Sequence, residues 1–266
     1  MSVDHPRDQA RFARPANLPG VELVSVSYRR RSFPVHTHGE FVVGAVVGGA
    51  ETLSVDGRNY VVGAGASLFL HPDEPHANAT IGDEALQYRV FYLTAASLAE
   101  TLGGKLPAFA APVSDAAHIH ETLTRAHVAL SGESDALEQE SAFAALAQSL
   151  IDVTATEARA AKRPSVRTRR VKAFIDEHFA DGFGLAALAD VSGMSSVHTL
   201  RTFKQEIGVT PLAYRNQVRL AEARRLLREG HAVAETAAAV GFVDQSHLNR
   251  QFQRVVGVSP ARYARQ

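Results

Sequence analysis

Histidines and a glutamate lie close together in the first third of the sequence. His36, His38 and Glu40 occupy alternate positions, and His71 and His76 follow further along. On a β-strand, alternate residues point to one face of the sheet. Imidazole and carboxylate groups on one face can bind a divalent metal or line a polar cavity that binds a small molecule. Ordinary hydrogen-bonded core histidines are the third alternative.

Two arginines in the last third of the sequence could contact nucleic acid bases. Arg201 and Arg250 are 49 positions apart, and the same shift superimposes many further like residues. It pairs Phe203 with Phe252, Tyr214 with Tyr263, and Gly208-Val209-Thr210-Pro211 with Gly257-Val258-Ser259-Pro260. A guanidinium group can donate two hydrogen bonds to guanine, or it can contact a phosphate without reading the sequence.

The first copy of this repeat has the pattern of a helix, a turn and a second helix. Residues 185–189 have apolar side chains at helical spacing, and Gly193 allows a tight turn. Ser195 is then a predicted N-cap for a helix that ends near Ile207. The first helix-turn-helix unit is therefore predicted at about 185–207.

The second copy repeats the pattern, and a long helix connects the two. A helix at Ala234 to Val240 is followed by a turn at Gly241, and Asp244 is the predicted N-cap of a helix ending near Val256. The second unit therefore covers about 234–256. Thr210 and Pro211 begin the connecting helix, which runs through Arg228. Its length of roughly 27 Å suits two units that read successive faces of the major groove.

These residues resemble those of a known family. The run Gly241-Phe242-x-Asp244-Gln245-Ser246-His247-Leu248-x-Arg250-x-Phe252, with Gly257-Val258-Ser259-Pro260-x-x-Tyr263, resembles the signature of the AraC/XylS family of bacterial transcription regulators. The first copy is similar through Leu188-Ala189, Met194-Ser195, Arg201-x-Phe203-Lys204 and Gly208-x-Thr210-Pro211-x-x-Tyr214. The resemblance covers the last hundred residues. It implies an activator that binds a double-stranded DNA operator, responds to a small-molecule effector, forms a homodimer and contacts RNA polymerase.

The two second helices supply the predicted DNA contacts. Arg201 and Arg250 are the candidates for guanine recognition, and Lys204 and Arg254 are expected at phosphates. The other exposed candidates are Ser196, Val197, Leu200, Gln245, Ser246 and Asn249. One departure concerns Thr199, which stands where the second copy has Leu248. Because that position is normally apolar, a small rotation of the first recognition helix is expected.

Charge and composition agree with a division into two functions. Residues 161–266 hold 17 Lys and Arg against 9 Asp and Glu, a net charge of +8, whereas residues 1–160 hold 11 against 19, a net charge of −8. A basic half suits binding to phosphates. The absence of cysteine excludes disulfides, thiolate metal sites and a methyl-accepting DNA-repair enzyme. No signal peptide or membrane span is evident, so a cytoplasmic protein is expected.

The fold class predicted is multi-domain α+β. Strands are predicted at Val21–Tyr28, Phe41–Val47, Glu51–Val55, Tyr60–Val62, Ser67–Leu70 and Leu86–Leu93, separated by turns such as Asp56-Gly57. Many short strands predict a small β-barrel or jelly roll with trailing helices. An all-α domain, with its two helix-turn-helix units joined by the long helix, follows it.

Domain boundaries follow from these patterns. An N-terminal arm at 1–20 precedes an effector-binding and dimerisation domain at 21–160, a linker at 161–168 and a DNA-binding domain at 169–266. Helices are predicted at 115–130 and 135–158, and the second carries an apolar stripe at Phe143, Leu146, Leu150 and Val153. That stripe is predicted either to cover the barrel or to pair with its copy in a dimer, and the dimer is favoured.

The histidine region resembles the cupin-like effector domain that often precedes such a DNA-binding unit. The resemblance places the effector site at Phe33, His36, His38, Glu40, His76 and Tyr88. No catalytic residue, metal or other cofactor is expected, although His36, His38, Glu40 and His76 are the candidate ligands if a divalent metal binds. Two alternatives remain open. They are a metal-binding cupin enzyme fused to a DNA-binding module, and a DNA-binding protein that responds to no ligand.

Overall fold

The computed structural model describes residues 8–132, 134–153 and 164–266. The chain divides into two compact units, with the main boundary after residue 160. Within the described residues, ten strands and three helices precede this boundary and seven helices follow it. No helix in these ranges combines the length and hydropathy that a membrane crossing requires.

The strands form two sheets. The larger has six strands in the order β1 (Gln9–Ala13), β2 (Val21–Tyr28), β9 (Leu86–Leu93), β4 (Phe41–Gly48), β7 (Ser67–Leu70) and β10 (Val113–Ser114). The smaller has four strands in the order β3 (Ser32–His36), β8 (His76–Ile81), β5 (Ala50–Val55) and β6 (Arg58–Gly63). Residues Asp56 and Gly57 both have positive φ in the β5–β6 hairpin, as the sequence predicts. The predicted combination of a sheet-rich part with a following helical part is confirmed.

Three helices cover one face of the larger sheet. They are α1 (Ala95–Thr101), α2 (Ala117–Ser131) and α3 (Ala136–Asp152). Phe91 and Leu93 of β9 point to these helices and share a buried core with Leu146 and Leu150 of α3. Alternation then directs Tyr88 to the other face of the same strand.

The apolar stripe of α3 is therefore an internal surface. Phe143, Leu146 and Leu150 are at most 2% exposed, and Val153 packs against the same core. The prediction that this stripe pairs with a second copy is wrong, because α2 and the rest of the core of the same chain already cover it. The predicted residues 154–158 of this helix lie outside the described residues.

Several local predictions for the strands are also corrected. The predicted arm at 1–20 contains β1, whose residues pair with β2 in antiparallel register, and residues 1–7 lie outside the described ranges. β3 ends at His36, so His38 and Glu40 follow the strand and do not continue its alternation. The sequence pattern also missed β8, because His76–Ile81 lacks a clear apolar alternation.

The C-terminal helices match the repeat closely. They are α4 (Val166–His178), α5 (Leu185–Ser192), α6 (Ser196–Ile207), α7 (Pro211–Arg228), α8 (Val233–Ala239), α9 (Gln245–Val256) and α10 (Pro260–Ala264). The predicted bounds of α6, α7 and α9 agree with these ranges. α4 begins at Val166, three residues earlier than predicted, because Ser165 accepts a hydrogen bond from the Thr168 backbone N–H at 3.3 Å. Residues 161–163 of the predicted linker are not among those described.

Candidate nucleic-acid interface and ligand-binding site

The first recognition helix, α6, has defined ends. Ser195 caps it by accepting a hydrogen bond from the backbone N–H of His198 at 3.4 Å. Gly208 closes it with φ of 84°, a left-handed conformation that favours glycine. Gly193, in the turn before it, has φ of 64°. Helix, turn and helix therefore form as the sequence predicts.

The second recognition helix, α9, is built in the same way. Asp244 caps it by accepting a hydrogen bond from the His247 backbone N–H at 2.6 Å, and Gly257 closes it with φ of 90°. Both α6 and α9 contain 12 residues. Each also continues into a helix that begins with proline, Pro211 in α7 and Pro260 in α10. The 49-residue repeat of the sequence is thus a repeat of backbone structure.

An aromatic pair anchors each unit. The rings of Phe203 and Tyr214 meet edge to face with centroids 5.8 Å apart, and those of Phe252 and Tyr263 meet edge to face at 5.4 Å. The Tyr214 hydroxyl donates to Asp176 of α4 at 2.7 Å. Edge-to-face pairs of buried rings fix the orientation of the helices that carry them. These buried rings therefore have a structural role.

Thr199 is buried inside the first helix-turn-helix unit. It is 0% exposed, as is Leu248 at the matching position. Its hydroxyl lies 2.8 Å from that of Ser192 and donates to the Ser195 carbonyl at 3.0 Å. Because the hydroxyl is satisfied locally, threonine is accommodated inside the unit. The small rotation expected for the first recognition helix stays a prediction.

The predicted DNA contacts lie on the outer faces of both helices. Arg201, Lys204, Arg250 and Arg254 are exposed, and none forms an ion pair with another described residue. Val197, Leu200, Gln245 and Ser246 are also exposed, whereas Ser196 and Asn249 are partly exposed. Cations that no protein carboxylate neutralises are available to phosphates and to guanine.

A buried arginine of α7 fixes the second unit. Arg219 is 7% exposed and donates to the Phe179 carbonyl at 2.7 Å, while its guanidinium lies 5.6 Å from the centre of the Phe242 ring. Gly241 has φ of 80°, and an added Cβ would lie 2.2 Å from the Ala180 carbonyl oxygen. Glycine is therefore required where the turn of the second unit meets the end of α4. Sequence reasoning identified this glycine as a turn residue but missed Arg219.

The predicted effector residues are only partly brought together. One ring nitrogen from each of His36, His38 and His76 lies within 4.8 Å of the other two. His36 Nδ1 lies 2.8 Å from the Pro34 carbonyl, and His76 Nδ1 lies 2.9 Å from the Glu74 carbonyl. A carbonyl can only accept, so in each neutral ring Nδ1 carries the proton and Nε2 the lone pair. Three neighbouring imidazoles, two of them oriented in this way, suit a divalent transition metal.

The remaining predicted effector residues have other surroundings. Glu40 is not a member of the three-histidine group. Phe33 is partly exposed, and its ring centre lies 6.2 Å from that of His36. Tyr88 is 7% exposed and lies across Gly44, where an added Cβ would approach the ring to 2.3 Å. The absence of a side chain at Gly44 therefore makes room for the tyrosine.

The N-terminal compact unit also contains a buried carboxylate that sequence reasoning missed. Glu51 is 1% exposed, and Asn78 donates to its Oε2 at 2.8 Å. Burial raises the pKa of Glu51 to about 7. Burial, followed by the charges of Glu51 and Tyr92, raises the pKa of Tyr88 well above its ordinary value. The signal in the sequence was weak: Glu51 shares the alternation of Leu53 and Val55 on the buried face of β5.

The three histidines of α2 have different surroundings. His118 is exposed, but His120 is partly buried and bonds to the Val46 carbonyl at 2.9 Å. His127 is 1% exposed, and burial lowers its pKa to about 4. These two side chains attach α2 to the larger sheet, so their role is structural.

Comparisons with family models agree with this two-part architecture. The model of an AraC-like ligand binding domain matches residues 18–147. The model of a helix-turn-helix domain matches residues 188–266, which include both recognition helices. Each match falls on one side of the main boundary between the two compact units.

Individual relatives and structures give the same picture. The HTH-type transcriptional regulator YbfI of Bacillus subtilis, itself uncharacterised, is 31% identical over 227 residues, which cover 82% of each chain. The HTH-type transcriptional activator RhaS of Escherichia fergusonii is 37% identical over 95 residues, 35% of this chain and 34% of RhaS. The crystal structure of ToxT from Vibrio cholerae O395 has a TM-score of 0.58 at 11% identity and covers 92% of this chain and 97% of ToxT. This last likeness concerns the fold.

Proposed function

This chain belongs to the AraC family of transcription regulators, and we propose that it reads one operator with both recognition helices under the control of a ligand bound in its N-terminal unit. The observation that carries the proposal is the repetition of one capped helix. α6 and α9 have the same length, each has a side-chain N-cap and a glycine C-cap, and each presents an exposed arginine at the matching position. Two such helices suit two successive segments of the major groove.

The two helices present different chemistry to DNA. α6 exposes Val197 and Leu200 beside Arg201. Apolar side chains in the major groove contact the methyl group of thymine, and arginine pairs with guanine. We assign a half-site containing thymine and guanine to the first unit.

α9 is more polar at the corresponding places. It presents Gln245, Ser246 and Asn249 beside Arg250. Glutamine and asparagine can form two hydrogen bonds with adenine, so adenine and guanine are assigned to the second half-site. Lys204 and Arg254, near the ends of the two helices, are assigned to phosphates. An operator with two dissimilar half-sites follows from these assignments.

Effector control is assigned to the N-terminal compact unit. The AraC-like ligand binding model falls on this part of the chain. An effector can alter operator affinity only as far as it binds two arrangements of the protein unequally. A regulator of this kind needs no catalytic residue. We therefore assign binding, and not turnover, to the polar side chains of this unit.

Activation and dimerisation are further parts of the proposal. RhaS, similar to this chain in its C-terminal part, is described as an activator, which supports contact with RNA polymerase here. A homodimer is expected, since twofold dimers are the commonest form of soluble oligomers. Its interface has to lie outside the α3 stripe, which is buried within one chain. The mass of the purified protein by light scattering tests this expectation.

The central test is selective DNA binding. The full chain is used to select duplexes from a random library, and its affinity for the selected duplex is compared with that for shuffled duplexes. A preference of roughly 1000-fold or more at physiological salt is expected. Equal affinity for selected and shuffled duplexes would contradict the proposal, because it would indicate binding to phosphates alone.

Effector control needs its own measurement. Metabolites that raise the melting temperature of the full chain are identified first, since a ligand that binds the native state stabilises it. Operator affinity is then measured with and without each such metabolite over a range of salt concentrations. Equal affinity at every salt concentration, for every stabilising metabolite, would reject effector control while leaving DNA recognition in place.

A further inference from the structure

The interior of the N-terminal compact unit contains a carboxylate that lacks a complete set of hydrogen-bond partners. Glu51 Oε2 accepts from Asn78, but Oε1 is buried and has no hydrogen-bond partner among the described residues. In folded proteins nearly all buried polar atoms are hydrogen-bonded. A buried carboxylate without a cation is especially unfavourable. Oε1 therefore marks a place where a group from outside the chain would stabilise the structure.

Tyr88 supplies a second unpartnered atom close to this carboxylate. Its hydroxyl is buried and also lacks a hydrogen-bond partner within the described ranges. Tyr88 pairs with Val46 near the end of β4, and the chain enters β5 at Ala50, one residue before Glu51, so the register places Glu51 and Tyr88 in the same region of the fold. The effect of the Glu51 charge on the Tyr88 phenol agrees with this placement. The Tyr88 ring packs directly on Gly44 of β4, where an added Cβ would approach it to 2.3 Å.

The chemistry of these groups selects one class of ligand. A carboxylate or phosphate ligand would be repelled by Glu51. A hydrocarbon would leave both polar atoms unsatisfied. A hydroxyl group would satisfy hydrogen bonds but would not balance the charge. An ammonium group does both, because it donates to the carboxylate and to the tyrosine oxygen, and tyrosine rings attract cations.

Resting on the ligand-responsive function proposed above, we propose that the effector is a small organic amine whose ammonium group binds between Glu51 and Tyr88. The rest of the ligand contacts apolar side chains on the same two strand faces. These are Leu53 and Val55 of β5 and Leu86 and Val90 of β9, all at most 5% exposed. A primary amine with a short hydrocarbon body matches this combination of one charged end and an apolar remainder.

The test compares ligands that differ in one group. Phenethylamine, benzylamine and hexylamine are titrated into the full chain in phosphate buffer, each against the alcohol of the same skeleton, and 3-phenylpropanoate serves as the acid. At least one amine is expected to bind about 10-fold or more tightly than its alcohol. The acid is expected not to bind. Failure of all three amines to bind, or alcohols that bind as tightly as amines, would overturn the proposal.

Two substitutions localise the effect. Glu51→Gln keeps the shape of the side chain but removes its charge, and should reduce the preference for amine over alcohol to about one. Tyr88→Phe removes a single oxygen and should weaken amine binding by a smaller factor. Glu121→Gln, on the exposed face of α2, is the matched control and should bind amines like the original chain. An undiminished preference in Glu51→Gln would contradict the assignment of this carboxylate.

Operator binding is measured on the same variants without ligand. Glu121→Gln should bind the selected duplex as the original chain does, since this exposed residue of α2 lies outside both the recognition helices and the proposed ligand site. If the chain binds DNA selectively but binds no amine, the proposed ligand class is wrong and the proposed function as a DNA-binding regulator is retained. If DNA binding itself is unselective, the proposed function fails independently of the amine.

Discussion

The two helix-turn-helix units share a backbone frame but fill its interior differently. In the first unit the hydroxyl groups of Ser192 and Thr199 lie 2.8 Å apart inside the unit. In the second, Gly241 occupies the place of Ser192, and Leu248 occupies that of Thr199. Both recognition helices nevertheless have 12 residues, a side-chain N-cap and a glycine C-cap. The caps and turn glycines therefore define the frame, whereas the buried contact can be polar or apolar as long as it is satisfied.

Because the interiors differ, truncating Leu248 and truncating Thr199 should lower the free energy of unfolding by unequal amounts. Leu248→Ala should destabilise the chain by about 3–4 kcal/mol, because a fully buried leucine leaves a cavity. Thr199→Ala should cost only about 1–2 kcal/mol, because Ser192 keeps a hydrogen bond to the Ala189 carbonyl. Urea unfolding followed by circular dichroism, with hydrogen exchange of α6 and α9, measures both. A Thr199→Ala variant less stable than Leu248→Ala would show that the hydroxyl pair is the stronger contact.

The turn glycines provide the next comparison. Gly241→Ala combines a positive φ with a Cβ only 2.2 Å from the Ala180 carbonyl, and should cost about 3 kcal/mol. Gly193→Ala meets no heavy atom within 4 Å and should cost about 1–2 kcal/mol for the left-handed conformation alone. The melting temperatures of the two variants measure these losses of stability. Equal losses would mean that the contact with Ala180 relaxes and that the second unit is less firmly fixed than the structure indicates.

The exposed faces of α6 and α9 differ, so replacing the arginine of each helix should affect DNA binding differently. Arg250→Ala should lower operator affinity about 10- to 100-fold and relax the preference at one guanine, because α9 depends on hydrogen bonds. Arg201→Ala should lose less, because Val197 and Leu200 retain their contacts with thymine methyl groups. Fluorescence anisotropy on the selected operator and on single-base variants separates these outcomes.

Arg225→Ala is the control for these arginine variants. Arg225 is an exposed arginine of α7 that is bonded to Glu222, so its removal should leave affinity unchanged. A uniform loss on all sequences in Arg250→Ala, with a salt slope smaller by about one, would reassign this arginine to a phosphate.

The comparison also explains which parts of the structure the sequence predicts. Ser195, Asp244 and the glycines after each recognition helix act on atoms a few residues away, so their types reveal the ends of α6 and α9. Arg219 is different, because its partner Phe179 lies 40 residues away. No local pattern distinguishes such a buried arginine from a solvated one. The repeat reveals the frame of the C-terminal part, but not the contacts that hold its two units together.

The N-terminal part depends still more on distant contacts. β2, β7 and β9 follow from apolar patterns, and their bounds were predicted. Glu51 appears in the sequence as a lone charge in a strand, and its burial is created by the sheets around it. The apolar stripe of α3 was visible, but whether its own sheet or a second chain covers it depends on tertiary structure.

Removing the N-cap side chains of α6 and α9 should give the smallest difference in stability loss between the two helix-turn-helix units. Asp244→Ala is expected to cost about 1.5 kcal/mol and Ser195→Ala about 1 kcal/mol, since each removes a hydrogen bond to the first turn and the aspartate also carries a charge near the helix N-terminus. Asp244→Asn keeps the cap without the charge and should cost about 0.5 kcal/mol at low salt. High salt should screen this charge contribution and bring Asp244→Asn close to the original chain, while the loss in Asp244→Ala largely remains. If salt removed the loss in both variants equally, the charge alone would stabilise α9, and the two units would begin their recognition helices by different means after all.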